Sequence, residues 1–296
     1  MKSGFIAIVG KPNVGKSTLL NALMGQKVSV VSPRPATTRL KILGIMNRPE
    51  GQAIFSDTPG FEKVRNELGS SMLKTVHASV ADADFILLIV AAPGVRDEDA
   101  ALINVLEKTG KKIICGINKV DLLERKETLL PLIERLKKTY GFADIIPFSA
   151  LKNENLDELE KVLFEHLPEG DPLFPPDSVT NIDDSYRTAE IIREKILQLT
   201  YEEVPQGVAV EIEEMGEGRK NKEMLAIKAI IVVERESLKP ILIGKNGEKL
   251  KQIGKRARQE LEIIFKRKVY LELWVKVIKD WRDRPDVFRR FGYGNF

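Results

Sequence analysis

"GKPNVGKST", Gly10 to Thr18, fits G-x-x-x-x-G-K-[ST], follows the apolar run "FIAIVG" and leads into the amphipathic stretch "KSTLLNALMG". Between a strand and a helix, glycines let backbone N–H groups turn inward around a phosphate, and the helix presents its positive N-terminus. Lys16 then neutralises β/γ oxygens and the Ser17 hydroxyl ligates magnesium, with Gly10, Lys11, Pro12, Asn13, Val14, Gly15 and Thr18 completing the cradle. Working outward, "QAIFSD", "DFILLIVAA", "KIICGIN" and "DIIPFSA" read as further buried strands. Residues 68–80, "DEDAALINVLEKTG" and "LLPLIERLKKTYG" read as helices between them, several ending at glycine. This alternation predicts an α/β domain over residues 1–167, with a mainly parallel sheet covered on both faces.

The base is named by Asn118-Lys119-Val120-Asp121, at the end of "KIICGINKVD". Guanine offers N1–H and N2–H₂ side by side, and one carboxylate accepts both; adenine presents no such pair. Asp121 is therefore the selector, Asn118 bonds the base and ties its loop to the phosphate loop, and the Lys119 stem covers the ring. Ser149-Ala150-Leu151, after the last strand, offers backbone N–H groups to the guanine O6.

Asp57-Thr58-Pro59-Gly60 ends "QAIFSD". Asp57 is placed to hold magnesium through water, and the Gly60 N–H to sense the γ-phosphate. Thr37 and Thr38 lie in the polar loop "SPRPATTRL", where a hydroxyl would complete the magnesium shell; Thr38 is preferred, with Thr37 the fallback. Catalysis thus falls to Lys16, Thr38, Asp57 and Gly60, on GTP turning over to GDP. Phe61 stands where many GTPases place a water-orienting glutamine, so hydrolysis is expected to be slow or helped from elsewhere. Asn13 is open between two readings, a plain turn residue or a carbonyl holding potassium beside the phosphates.

Composition sets the class. The chain has 296 residues, 43% hydrophobic and 30% charged, which suits two soluble domains. "FILLIVAAPGV" is too short to span a bilayer, and the first residues lack a signal-peptide core. The single Cys115 excludes an internal disulfide and reads as a buried structural thiol. His77 and His166 lie far apart without cysteine companions, so no zinc pattern exists. The formal charge of +4 is unevenly placed: residues 1–180 hold 23 basic and 23 acidic side chains, and residues 239–268 hold ten against three. That is a local basic patch.

Residues 168–184, with four prolines and no apolar period, read as a linker. Beyond it the alternation stops. "SYRTAEIIREKILQLTYEE" reads as a helix, "GVAVEIEEM" and "EMLAIKAIIVVERE" as strands, and "KVYLELWVKVI" as a closing strand in which Trp274 is expected in the core. Before that strand a helix carries the stripe Leu250, Ile253, Ala257, Leu261, Ile264. Residues 280–296 form an arginine-bearing tail with Trp281, Phe288, Phe291, Tyr293 and Phe296, open between stacking on bases and docking onto the protein itself.

"GKPNVGKST", "TTR", "DTPG", "NKVD" and "SA", followed by "IGKNG" in a basic C-terminal region, resemble the Era-like family of bacterial GTPases along the whole chain. The resemblance implies a P-loop GTPase domain followed by a smaller α+β type II KH domain, here residues 185–279. It also implies GTP/GDP and Mg²⁺, and binding near the 3′ end of small-subunit ribosomal RNA during assembly of the small ribosomal subunit. A cytoplasmic protein with some peripheral membrane contact is implied too, and Phe61 agrees with the family, which uses an apolar residue there.

In a KH fold, Gly244-Lys245-Asn246-Gly247 joins two helices and lets a nucleic-acid backbone approach, clamping about four nucleotides. Single-stranded RNA rather than DNA is the expected ligand. Ile241 and Ile243 would wall the groove, while Lys249, Lys251, Lys255, Arg256 and Arg258 supply the field. Two rivals differ in class: an RNA-modifying enzyme, which needs a catalytic constellation that residues 181–296 lack, and a switch recruiting acidic lipids or proteins.

Overall fold

The computed structural model describes residues 1–296 apart from 33, 35, 36, 61–65, 93, 201–203, 205, 206, 219–221 and 294–296. The expectations for Phe61 and Phe296 fall outside the described residues. The chain divides into two compact units, residues 1–31, 38–63 and 72–181 in the first, and 32–37, 64–71 and 182–296 in the second.

In the first unit β1 (Lys2–Val9) passes through the glycine loop into α1 (Lys16–Met24). There follow β2 (Ile42–Arg48), β3 (Gly51–Asp57), α2 (Glu67–Asp82, of which residues 72–82 are counted in this unit), β4 (Phe85–Ala91), α3 (Asp97–Glu107) and β5 (Ile113–Asn118). The unit closes with α4 (Leu129–Thr139), β6 (Asp144–Pro147) and α5 (Leu156–His166). Among the described residues one sheet of six strands has the order β2-β3-β1-β4-β5-β6, parallel except for β2 against β3. Ile6, Ile8, Leu87, Leu88 and Ile114 are fully buried whichever face they occupy, the mark of strands covered on both sides. Cys115 joins this core, and burial, aided by Asp99, pushes its thiol up to about 12. It is a packing residue.

Two elements of this unit lie outside the expected set. β2 follows the proline-rich loop and carries Gly44, which weakens its strand signal; α5 has its signal in the spacing of Leu159, Leu163 and Leu167. The proline-rich stretch from 168 to 181 is also ordered by specific bonds. Ser3 N–H donates to the Pro168 carbonyl (3.0 Å), and Ile45 N–H to that of Val179 (2.9 Å). The Gln52 side chain accepts from Leu173 and Phe174 N–H and donates to the Phe174 carbonyl. The segment thereby covers the free edge of β2, which would otherwise invite another strand.

The second unit runs α6 (Asp184–Leu199), β7 (Val208–Glu217), β8 (Leu225–Val233), α7 (Leu238–Ile243), α8 (Glu248–Phe265), β9 (Val269–Val277) and the short α9 (Pro285–Phe288). Asp183 caps α6 by accepting from Tyr186 N–H at 2.7 Å. The sheet order is β7-β8-β9, with β7 antiparallel and β9 parallel to β8. Ile192 and Ile196 of α6, Ile253 and Ala257 of α8 and Leu242 of α7 pack on Val210 and Ile231 of the sheet. Of the expected α8 stripe, Ile253, Ala257 and Leu261 are buried, and Leu250 and Ile264 half-buried.

The tail docks onto its own unit. Trp281 is fully buried and donates from Nε1 to the Gly207 carbonyl (3.0 Å), with Phe291 edge-on to its ring. Tyr293 donates from its hydroxyl to Glu190 Oε1 (3.2 Å), beside the buried Glu190–Arg193 pair. Burial works against the Arg193 charge, but Glu190 and Tyr293 more than offset it and hold the guanidinium above its ordinary range. Trp274 corrects an expectation: it is 60% exposed rather than in the core. Strand period two puts position 274 on the face of β9 turned away from the helices.

Candidate nucleotide site and RNA clamp

The first glycine loop is held open by groups that only glycine tolerates. Gly15 has φ +101° at the head of α1, and a Cβ there would lie 2.3 Å from Asn118 Nδ2. A Cβ on Gly10 would meet the Ile89 carbonyl oxygen at 2.5 Å. The Lys16 ammonium is buried in the loop, donating to the Gly10 and Lys11 carbonyls at 3.0 Å each. Lys11 points elsewhere: its ammonium pairs with Glu98 (3.0 Å) and Asp99 (3.3 Å) at the start of α3. Its place in the cradle is therefore its backbone, a restraint the motif alone does not reveal.

The hydroxyls and carboxylate expected around magnesium come together. Ser17 Oγ donates to Asp57 Oδ2 at 2.8 Å and lies 3.0 Å from Thr38 Oγ1. Ser29, which sequence reasoning missed, donates to the same Asp57 oxygen at 2.9 Å. Asp57 is fully buried, and its Oδ1 has no hydrogen-bond partner among the described residues. Burial lifts its carboxyl above the usual range, while Lys16 and the hydroxyls of Ser17, Ser29 and Thr38 pull it back. An orphaned carboxylate oxygen beside two hydroxyls is a hard-cation donor set, so these residues fit magnesium.

Thr37 and Thr38 part company. The Thr37 hydroxyl donates to the Arg34 carbonyl (2.6 Å), and its own carbonyl accepts from Arg193, all within the second unit. Thr38 is the one that reaches Ser17. Thr38→Ala should therefore slow phosphate release by about 10–100-fold, as loss of a metal-site partner does. Thr37→Ala should leave it unchanged, and the reverse order would move the ligand role to Thr37.

The loops expected to read the base are joined to the phosphate loop by hydrogen bonds. Asn118 donates from Nδ2 to the Val14 carbonyl (2.8 Å), and its Oδ1 accepts from Ala150 N–H (3.0 Å). Lys119, itself at φ +67°, lays its ammonium on the Asn13 carbonyl (2.6 Å). Asp121 accepts from the Ser149 hydroxyl, which fixes the carboxylate's direction. Of the three residues offered to O6, Ser149 N–H goes to the Glu154 carbonyl (3.0 Å) and Ala150 N–H to Asn118 Oδ1, while Leu151 is exposed. Thr58 is tied to the Ile8 carbonyl (2.9 Å), and a Cβ on Gly60 would touch Pro12 at 2.9 Å, which sets Gly60 against the phosphate loop.

In the second unit α7 ends at Gly244, with φ +73° and ψ 175°, a region essentially restricted to glycine. Asn246 (φ +54°) and Gly247 (φ +79°) turn the chain into α8. Lys245 and Asn246 are exposed at the tip, Ile241 is exposed beside them and Ile243 is half-buried. The five charges of α8 do not share one face, since residues are 100° apart around a helix. Lys251 and Arg258 stand one turn either side of Gly254, whose Cβ position is 3.3 Å from Leu273 of β9, and Lys255 lies between them. Lys249 sits against Gly244, and Arg256 is on that same flank. α7 and α8 both pack against β9, so the loop and the Lys251 side of α8 lie beside that strand, where the sequence expects the groove.

Comparison with known proteins identifies both halves. Residues 5–119 match the family model described as 50S ribosome-binding GTPase, and residues 203–282 match the KH domain. GTPase Era of Aquifex aeolicus is 52% identical over 299 residues, covering 99% of each chain, and GTPase Era of Heliobacterium modesticaldum is 44% identical over 296 residues, covering 99% of this chain and 97% of its own. The crystal structure of a point variant of Aquifex aeolicus Era bound to GDP·AlF4⁻ superposes with a TM-score of 0.96 at 52% identity, covering 99% of each chain. A structure of Era with MgGDPNP and nucleotides 1506–1542 of 16S ribosomal RNA matches with the same identity, coverage and TM-score.

Proposed function

The chain belongs to the GTPase Era family, and from that premise we propose that it is a GTP-hydrolysing switch that grips single-stranded RNA at the 3′ end of small-subunit ribosomal RNA during assembly of the small subunit. One observation carries this reading: a guanine-selecting phosphate site and a glycine-bent, lysine-flanked groove occur in one chain. That the 52%-identical Era was solved with MgGDPNP and 16S ribosomal RNA supports it.

Magnesium, when bound, neutralises charge on the β- and γ-phosphates. Ser17, Thr38 and Asp57 hold it, Lys16 and the loop N–H groups cradle the phosphates, and Asp121 orients the guanine. Gly60, set against Pro12, is positioned to report the γ-phosphate. Asn13, with its backbone turned to φ +63° in the loop, is proposed to hold potassium there; equal turnover in potassium and sodium would remove that role.

Among the described residues no helix is long and apolar enough to cross a membrane. A ribosomal partner accords with a cytoplasmic location, and the basic α8 flank suits peripheral contact with anionic headgroups on the inner membrane face.

The test is binding of a 16S 3′-end RNA fragment by the full chain loaded with GDP or a non-hydrolysable GTP analogue. Tighter binding with the analogue is expected. Equal affinities would remove the switch, and no RNA binding in either state would remove the RNA function.

A further inference from the structure

Among the described residues, Tyr270 and Trp274 are the aromatic side chains that the fold leaves exposed, at 55% and 60%. Both belong to β9. Leu271, Leu273 and Val275 pack towards the helices, so the alternate residues Tyr270, Glu272, Trp274 and Lys276 share the opposite face. Across the ladder Tyr270 neighbours Ala226, Glu272 neighbours Lys228, and Trp274 neighbours Ile230. The two rings stand about 13 Å apart along the strand, too far to stack on each other and spaced to take separate bases.

This face carries charges of both signs. Three of its carboxylates are already engaged: Glu214 with Lys228 (2.9 Å), Glu211 with Arg290 (2.8 Å), and Glu272 with the Trp274 indole N–H (3.0 Å). That last bond also fixes the direction of the indole ring. Lys276 is exposed on the same face, and Lys268, 81% exposed in its side chain and 4.0 Å from Glu262, stands just before the strand. A patch of two rings, Ile230 and Ala226 among charges already paired within the fold is narrow for a protein-docking surface. Flat rings amid lysines are what unpaired bases stack on.

Its position is telling too. β9 is an edge strand, and its other face packs against α7 and α8, which flank the glycine loop. A strand leaving the groove has only to cross the β9 edge to meet these rings. We propose that Tyr270 and Trp274 form a base-stacking platform that extends the RNA path beyond the nucleotides held by the clamp. This rests on the reading of Gly244–Gly247 as an RNA clamp and adds a second point of attachment to it.

The protein carries its own probe, because its two tryptophans are Trp274 and the buried Trp281. The full chain, loaded with a GTP analogue, is titrated with a 16S 3′-end RNA fragment while intrinsic emission and its quenching by acrylamide are followed. Trp274 emission should fall and become shielded from acrylamide, and neither change should occur in Trp274→Phe. Trp274→Ala should weaken binding of the fragment about 5- to 150-fold, the effect of losing one stacked base. Trp274→Phe should keep most of the affinity. A Trp274 that stays fully open to acrylamide at RNA saturation overturns the platform and leaves this face to a protein partner. If Gly247→Asp abolishes binding while Trp274→Ala and Tyr270→Ala do not weaken it, the platform falls and the clamp stands. If the wild-type chain does not bind the fragment, both fall together.

Discussion

Asp121→Asn should lower GTP affinity by about four orders of magnitude, the discrimination typical of sites built around buried hydrogen bonds. The same variant should gain xanthosine triphosphate. Guanine presents two donors to the carboxylate, whereas xanthine presents N1–H beside the O2 acceptor, and a carboxamide matches that pair with one oxygen and one NH₂. The substitution is structurally mild: the amide oxygen can still accept from the Ser149 hydroxyl. Asn118, which ties the loop to Val14 and Ala150, is left in place. Equilibrium titration with fluorescent guanosine and xanthosine nucleotides reads the result. A variant that loses both nucleotides would make Asp121 a structural residue of its loop, and one that keeps GTP would remove it as the base selector.

The nucleotide site is legible in the sequence because its chemistry is local. Phosphate loop, Asp57-Thr58-Pro59-Gly60 and Asn118 to Asp121 each sit at a strand end, and the parallel order of β1, β3, β4 and β5 brings those ends together. What the sequence hides is which way a long side chain turns. Lys11 lies in the motif yet reaches Glu98 and Asp99, and Ser29 lies outside any motif yet bonds Asp57. Both are tertiary facts with no periodic signal. Thr37 and Thr38 are adjacent and chemically identical, and only the fold separates the one beside Ser17 from the one held by Arg34.

In the second unit the element order is readable, but the faces are less so. Trp274 sits in an apolar strand, and hydrophobicity alone argues for burial; the alternation that exposes it is set by Leu271, Leu273 and Val275 facing the helices. The tail poses the opposite difficulty. Its aromatic residues lack any periodic pattern, and their burial depends on partners such as Gly207 and Glu190, far away in sequence.

Gly247→Asp should cut RNA affinity by about 100-fold or more, since a like charge set against a phosphate costs several kcal/mol. Gly247 is the cleaner of the two loop glycines to change. At Gly244 a side chain would face both a glycine-only backbone region and Lys249 Cβ at 2.8 Å, so loss of binding there would mix strain with charge. Gly247 sits at φ +79° and ψ 7°, a conformation aspartate tolerates better than most residues, and nothing lies within 4 Å of its Cβ position. Gly247→Ala carries the same backbone change without the charge and should keep most of the affinity. The slope of log affinity against log salt should also flatten by about 0.7 for each phosphate that is no longer neutralised. GTP affinity should not move, because the nucleotide site draws its side chains from the first unit. Filter binding of the 16S 3′-end fragment across a salt series measures all of this. If the aspartate variant binds RNA as tightly as the alanine one, no phosphate passes the loop, and the groove beside α8 is not where the strand lies.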